Sequence, residues 1–410
     1  MPAISPGDTS FVLISAGLVM LMTPGLALFY GGMVRAKNVL GTIMHSFFIL
    51  GLVSVLWVLV GYSLAFGPGW RHLVGGLQWV GLQGVGQAPL PAYASTVPHL
   101  AFMIFQGMFA VITPALITGA FAERMKFSGF VVFTILWALL VYCPVAHWVW
   151  ATDGWIRRLG AMDFAGGTVV HINSGVAALV LAVVLGRRKD YGNGDLVPHN
   201  LPLTILGAAL LWFGWFGFNA GSALAANGLA ASAFVVTNTA AAMAALAWCG
   251  AEALHRGKPT TLGAVSGCVA GLVAITPASG FVTPLAAMAI GLAAGALCYL
   301  AVLLKWRLGY DDALDVVGIH GVGGTLGALF TGLFATTAVN STALQGLFYG
   351  GGLATLRVQA TAVGATALYS LLVTLVLAKV VQALVGLRVT EEEEESGLDL
   401  SQHSEVGYAF

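Results

Sequence analysis

Residues 163–189 read DFAGGTVVHINSGVAALVLAVVLGRRK, and the fold class follows from that stretch. Between Asp163 and the basic triplet Arg187, Arg188 and Lys189, the single ionisable side chain is His171. An apolar run of about 20 residues is what a helix rising 1.5 Å per residue needs to cross a hydrocarbon core about 30 Å thick. The stretch therefore predicts a membrane-spanning helix whose basic end faces the cytoplasm. Ionisable groups inside such helices are expensive and mostly functional, which makes His171 the first candidate site residue.

The rest of the chain has the same character. Of its 410 residues, 58% are hydrophobic and 8% charged, with mean hydropathy +0.90, whereas a soluble domain is about a quarter charged. So little charge does not cover a water-facing surface, and zero formal net charge argues against nucleic acid as a partner. Cys143, Cys249, Cys268 and Cys298 lie singly in apolar runs with no CxxC pair, so they read as small packing residues rather than a disulfide framework. The leading MPAISPGDTS carries no Lys or Arg, which predicts a retained first span rather than a cleaved signal.

Eleven runs qualify as spans, at roughly 9–32, 40–66, 98–121, 127–147, 165–186, 199–222, 232–254, 261–277, 283–306, 314–337 and 349–386. The eighth is short and the eleventh long. Threaded back and forth, they place 13 basic residues on one side, among them Arg35, Lys37, Arg124, Lys126, Arg188 and Arg388. The other side receives 4, namely Arg71, Arg157, Arg158 and Arg357. Positive charge concentrates in cytoplasmic loops, so the N-terminus is expected outside and the C-terminus in the cytoplasm. The expected architecture is an all-α polytopic protein of the cell membrane with eleven transmembrane helices: a transmembrane domain over 1–386 and a cytoplasmic tail over 387–410. The Gly- and Pro-rich stretch 67–98 reads as an ordered outer loop. Gly217 with Gly221 and Gly323 with Gly327 have the small-xxx-small spacing that lets helix backbones approach. Trp148 and Trp155 suggest an interfacial aromatic belt.

The tenth run, DVVGIHGVGG from Asp315, holds a second histidine, His320. His171 lies eight residues past Asp163 and His320 eight past Asp312, about 12 Å in each case, measured from opposite faces. Both reach the middle of the bilayer. Spans one to five and six to ten, at about 9–186 and 199–337, form an inverted five-plus-five repeat with an eleventh helix added, because an odd number of spans inverts the second half. Metal binding fits poorly, since three or four ligands are needed and no Cys or carboxylate recurs beside either His; HExxH is absent too. Asp163 has two compatible readings, a helix N-cap and an electrostatic aid to a cation entering from outside.

Eight motifs, FQGMFA (105–110), AERMKF (122–127), AHWVW (146–150), DFAGGTVVHIN (163–173), PHNLP (198–202), GWFGFNAGSA (214–223), RGKP (256–259) and GIHGVGG (318–324), occur in an order that resembles the ammonium transporter family, the Amt/Rh superfamily, closest to its bacterial and archaeal Amt branch. The resemblance covers essentially the whole chain. It implies a homotrimer of eleven-span protomers, each with its own pore for ammonium, ammonia or methylammonium, and no cofactor or catalytic set. On this resemblance His171 and His320 match the pore-lining histidine pair, and Phe109 and Phe218 match the phenylalanine gate. Trp150 and Ser222 match the outer recruitment site with Phe105 close by, and Asp163 matches a required aspartate. The loop 151–160, ATDGWIRRLG, departs most from the family pattern.

The chemistry of these residue types agrees. Aromatic faces hold a small cation with about 1–2 kcal/mol when partly desolvated, a serine hydroxyl accepts a hydrogen bond from it, and an unpaired ion does not enter an apolar passage cheaply. Neutral ammonia escapes most of that penalty. The run Glu391–Glu395 taken alone reads as a solvated acidic segment, but together with GLDLSQHSEVGYAF it resembles the family's ordered tail, against which a cytoplasmic PII signal protein is an expected partner. Two other readings stay open at this point: an ammonium-sensing receptor of the same fold, and a channel for a neutral gas as in Rh-type relatives.

Overall fold

The computed structural model describes residues 3–192 and 196–408. Among them ten helices are long and apolar enough to cross a membrane: α1 (Pro6–Met33), α2 (Ala36–Phe66), α3 (His99–Ala120), α4 (Phe127–Arg158), α5 (Gly167–Leu185), α6 (Leu201–Gly221), α7 (Gly228–Arg256), α9 (Pro284–Leu308), α10 (Val317–Phe334) and α11 (Gly352–Leu384). The shorter α8 (Thr261–Ile275) takes the eighth place. It ends just before Pro277, whose nitrogen has no hydrogen to donate into a further turn. Each of the eleven expected runs thus contains a helix, with boundaries shifted by a few residues, and the chain is a multi-pass membrane protein.

Local sequence sets the helix starts. Ser5, Asn200, Asn227, Thr260 and Thr283 cap α1, α6, α7, α8 and α9 through side-chain oxygens that accept first-turn N–H groups. Proline stands in the first turn of α1, α6 and α9, where its missing N–H has no helical partner to lose. Four stretches widen into π-helical turns: Trp57–Gly61, Ala138–Tyr142, Gly167–Ile172 and Val317–Val322. The last two contain the histidines.

Close packing depends on glycine. A Cβ on Gly217 would lie 2.6 Å from Leu18 Cβ, and one on Gly327 would lie 2.1 Å from the Ala274 carbonyl. So α6 is pressed onto α1, and α10 onto α8. Where α5 crosses α10 glycine meets glycine, and a Cβ on Gly175 would stand 2.3 Å from the Gly321 nitrogen. That crossing brings the two histidine turns together. Helix α11 braces both, since Ser370 Oγ donates to the Asn173 carbonyl at 2.9 Å and Gln359 Nε2 donates to the carbonyls of Met162 and Ala328.

Stretch 67–98 is ordered, as expected, by two short antiparallel pairs, β1 (Gly69–Trp70) with β2 (Val74–Gly75) and β3 (Pro89–Leu90) with β4 (Ala94–Pro98). Trp148 departs from the belt reading. It is buried against Trp155 and Tyr369, and its indole N–H donates to the Leu73 carbonyl at 2.7 Å. The cysteines are all free, three of them buried.

At the end that carries the tail, charge is buried in pairs. Glu123 accepts from the Arg35 backbone at 2.7 Å and pairs with Arg35 and Arg188 at 3.1 and 3.0 Å. Arg188 also pairs with Asp311 at 2.8 Å. Burial alone would raise the Glu123 pKa, but the two guanidinium groups hold it below the usual carboxylate value. Arg124, fully buried, donates to the carbonyls of Ala120 and Asp311; burial brings its pKa down to about 10 against the pull of Asp311.

The acidic run is not a solvated segment. It forms α12 (Glu391–Ser396) behind a Thr390–Glu393 capping box, followed by α13 (Leu398–His403). Glu394 is buried between the Lys189 N–H and Arg388, each at 2.8 Å. Asp399 accepts the Leu40 and Gly41 N–H groups at the amino end of α2. Charge density alone misreads this stretch, because Glu394 and Asp399 have partners far along the chain that the local sequence does not reveal.

Candidate functional site

At the end opposite the tail, a cavity of about 470 Å³ opens among Phe109, Trp150, Asp163, Ser222 and Gln106. Trp150 is fixed by its indole N–H, which donates to the Asp163 carbonyl at 3.0 Å. Ser222 sits just past the end of α6 and donates its hydroxyl hydrogen to the Phe218 carbonyl at 2.8 Å. Its lone pairs are therefore left to accept. Asp163 precedes α5 and accepts at both oxygens from the N–H groups of Gly166, Gly167, Thr168 and Val169, and from the Thr168 hydroxyl. Five donors on one carboxylate make it a complete N-cap, and its charge complements the positive end of α5.

The floor of this cavity is the ring pair Phe109–Phe218, with centroids 4.4 Å apart. Phe109 faces the outer cavity and Phe218 faces a second space beneath it. Phe105, also singled out from the sequence, does not line the outer cavity; it is fully buried and meets Phe109 edge-on at 5.0 Å. Trp150 stands edge-on to Phe109 from the other side, at 5.5 Å.

The second space is lined by His171, His320, Trp215, Phe218, Phe29 and Leu116, among others, and amounts to about 10 Å³. On this measure about 10–15 Å³ is needed to hold one water, so the passage admits a single small molecule. The imidazoles of His171 and His320 stack with centroids 5.3 Å apart and touch through their Nδ1 atoms at 3.2 Å. One Nδ1 must carry hydrogen and the other must not. If both rings are neutral, they are opposite tautomers, and the ring bearing Nδ1–H keeps a bare Nε2 acceptor while the other keeps an Nε2–H donor. His171 Nε2 has no partner among the described residues.

The sequence singled out the two histidines but not what holds them. Trp215 stacks on His171 at 5.5 Å, and its N–H is tied to Thr276 Oγ1 at 2.8 Å. A Cβ on Gly324 would stand 2.8 Å from His171 Cβ. Trp215 was within reach of sequence reasoning, because it lies three residues before Phe218 and so on the same helix face. The partnership with Thr276 crosses two helices and left no local signal.

Comparison with known proteins supplies the substrate. The model of the Ammonium Transporter Family matches residues 10–408. The chain is 59% identical over 403 residues to an ammonium transporter of Bacillus subtilis, covering 98% of each chain. It is 49% identical over 404 residues to the ammonium transporter Amt1 of Archaeoglobus fulgidus, covering 98% of this chain and all of that one. The crystal structure of Saccharomyces cerevisiae Mep2 superposes with TM-score 0.89 at 37% identity, over 95% of this chain and 88% of the other. A stacked histidine pair beneath an aromatic-floored cavity is thus found in a chain that belongs to the ammonium transporter family and moves ammonium across a membrane.

Proposed function

We propose that the chain recruits NH4+ in the outer cavity, removes its proton above the Phe109–Phe218 pair, and passes NH3 along His171 and His320. The observation that carries this reading is the contrast in size and polarity between the two spaces. The outer cavity is roomy and offers the π faces of Trp150 and Phe109, the Ser222 lone pairs and the nearby Asp163 charge. Cation–π contacts of this kind contribute about 1–2 kcal/mol each when partly desolvated. Phe105 backs Phe109 and keeps it in place. The inner space admits one small molecule and presents only ring nitrogens as polar partners. An ion stripped of water there would face a penalty of tens of kcal/mol in idealised terms, whereas ammonia needs one acceptor and one donor.

The charge pattern of the loops supports an outside N-terminus, so that the outer cavity faces the medium and the tail end faces the cytoplasm. The packing of α1 on α6 and of α5 on α10 supports the division into inverted repeats at about 9–186 and 199–337, followed by the eleventh span and the tail from 387. Exposed leucines along α1, α7 and α9 suit contacts with lipid and with neighbouring protomers of a homotrimer. The ordered tail offers a cytoplasmic PII signal protein a fixed surface. Capture of such a protein from cells shifted to high ammonium tests that partner, and its absence from the captured material removes it.

The pore itself is tested in proteoliposomes by replacing His171 and His320 together with Ala. Methylammonium and ammonium flux should fall to the background of empty vesicles or change in selectivity, with the protein still folded. Unaltered flux in the double variant defeats the reading. Currents during an ammonium pulse report whether the released proton follows the ammonia.

A further inference from the structure

The helix carrying His320 has an unused carboxylate at its amino end. Asp312 precedes α10 by the same eight-residue spacing to its histidine that Asp163 has on α5, yet the two acids are treated differently. Asp163 has five hydrogen-bond donors on its two oxygens. Asp312 is completely buried; its Oδ2 accepts from the Val317 N–H at 2.7 Å, and its Oδ1 has no partner among the described residues. The nearest cation does not serve it, because Lys305 Nζ donates to the Asp312 backbone carbonyl and to the Asp315 carboxylate. A buried acceptor without a donor carries a desolvation penalty, larger when it is charged, so an unpartnered oxygen here calls for a use.

Its place in the fold suggests one. Phe29 and Leu116 line the narrow space beside the histidines, and Tyr30, next in chain to Phe29, donates its hydroxyl to the Leu116 carbonyl at 3.1 Å. Tyr30 in turn faces Asp312. The carboxylate therefore lies behind the lining of the histidine space, beside Tyr30 and toward the tail end. The other charged and titratable groups facing it are Lys305 and Asp315, Arg124 from the segment after α3, and Tyr310.

We propose that Asp312 is the inner proton-exchange group of the transporter, its free Oδ1 taking the proton relayed by the histidine pair and releasing it to the cytoplasm. This rests on the reading of the pore given above. In the first step an N–H bond of the His320 imidazolium breaks, and its proton passes through intervening water to Asp312. An O–H bond forms on Asp312. In the second step that O–H bond breaks, the proton goes to cytoplasmic water, and the carboxylate is restored. Ammonia leaves separately, so one NH4+ outside becomes one NH3 and one H+ inside. Burial, only partly offset by Lys305, pushes the Asp312 pKa up to about 6. Such a group is mostly empty at neutral cytoplasmic pH and still basic enough to accept a proton.

The test is the ammonium-driven current through the purified protein in proteoliposomes at fixed outside pH, with the inside pH varied between about 5 and 8. A filled Asp312 cannot accept, so the native current should fall as the inside is acidified through about 6, approaching tenfold per pH unit. Asp312→Asn keeps an acceptor for the Val317 N–H but cannot take the proton. It should lose this inflection along with most of the current, while Asp312→Glu should keep it. An inside-pH profile in Asp312→Asn that matches the native one overturns the proposal, as does loss of the inflection in Asp312→Glu. Electrical silence of the native protein alongside measured uptake would instead remove the proton relay itself, and is distinguishable because no variant is needed to see it.

Discussion

Around His171 and His320 the buried polar groups are imidazoles, an indole N–H and threonine hydroxyls, and one ring nitrogen is left without a partner. At the tail end, Glu123, Arg188, Asp311 and Arg124 are buried as deeply, yet each charge meets an opposite one. The two regions meet the cost of burying polarity in opposite ways. This four-residue network gives each of its charges an opposite one and gains a fixed shape for the ends of α1, α3, α5 and α9. The histidine region holds no carboxylate, ammonium or guanidinium in its lining and leaves hydrogen-bonding capacity over. A group already satisfied has nothing to offer a passing molecule, so the unsatisfied region is where transport can occur.

The comparison breaks most visibly at Glu123. Glu123→Ala leaves Arg35 and Arg188 facing each other without their shared anion, and removing one partner of a buried pair typically costs about 3–5 kcal/mol. The expected result is a large fall in the yield of folded protein and in its melting temperature in detergent. If the Glu123→Ala protein melts like the native one, the tail-end network is not the structural clamp described. The same logic predicts no comparable loss of stability for His171→Ala, where no charge is left stranded, and the melting curves of the two variants separate the regions directly.

Much of this was legible in the sequence. Span number and the choice of the two histidines follow from apolar run length and from the position of single residues within a run, both local properties. The N-cap at Asp163 follows from its place before α5. What the sequence does not show is pairing across the fold. Trp148 reads as an interfacial residue because its partners, Leu73 and Tyr369, are more than 70 and 200 positions away. Glu394 reads as solvated because Lys189 lies on another loop. Basic residues counted only for topology, among them Arg35, Arg124 and Arg188, are structural ion-pair partners as well. The unequal treatment of Asp163 and Asp312 is invisible from spacing, which is the same for both.

The smallest effect sharpens the comparison within the tail itself. Lys189 touches the tail in two ways: its backbone N–H donates to the buried Glu394, and its ammonium pairs with Glu395 where both side chains are largely exposed. Lys189→Ala removes only the second contact. Exposed pairs are screened by water and salt and lose side-chain entropy on forming, so the loss should be below about 0.5 kcal/mol. Glu394→Gln, by contrast, strips the charge of a buried carboxylate that faces the half-buried Arg388 at 2.8 Å. Limited proteolysis of the tail in detergent compares them. Lys189→Ala should be cut at the native rate and Glu394→Gln several times faster, whereas equal rates for the two variants would mean that the tail is held by exposed charge after all.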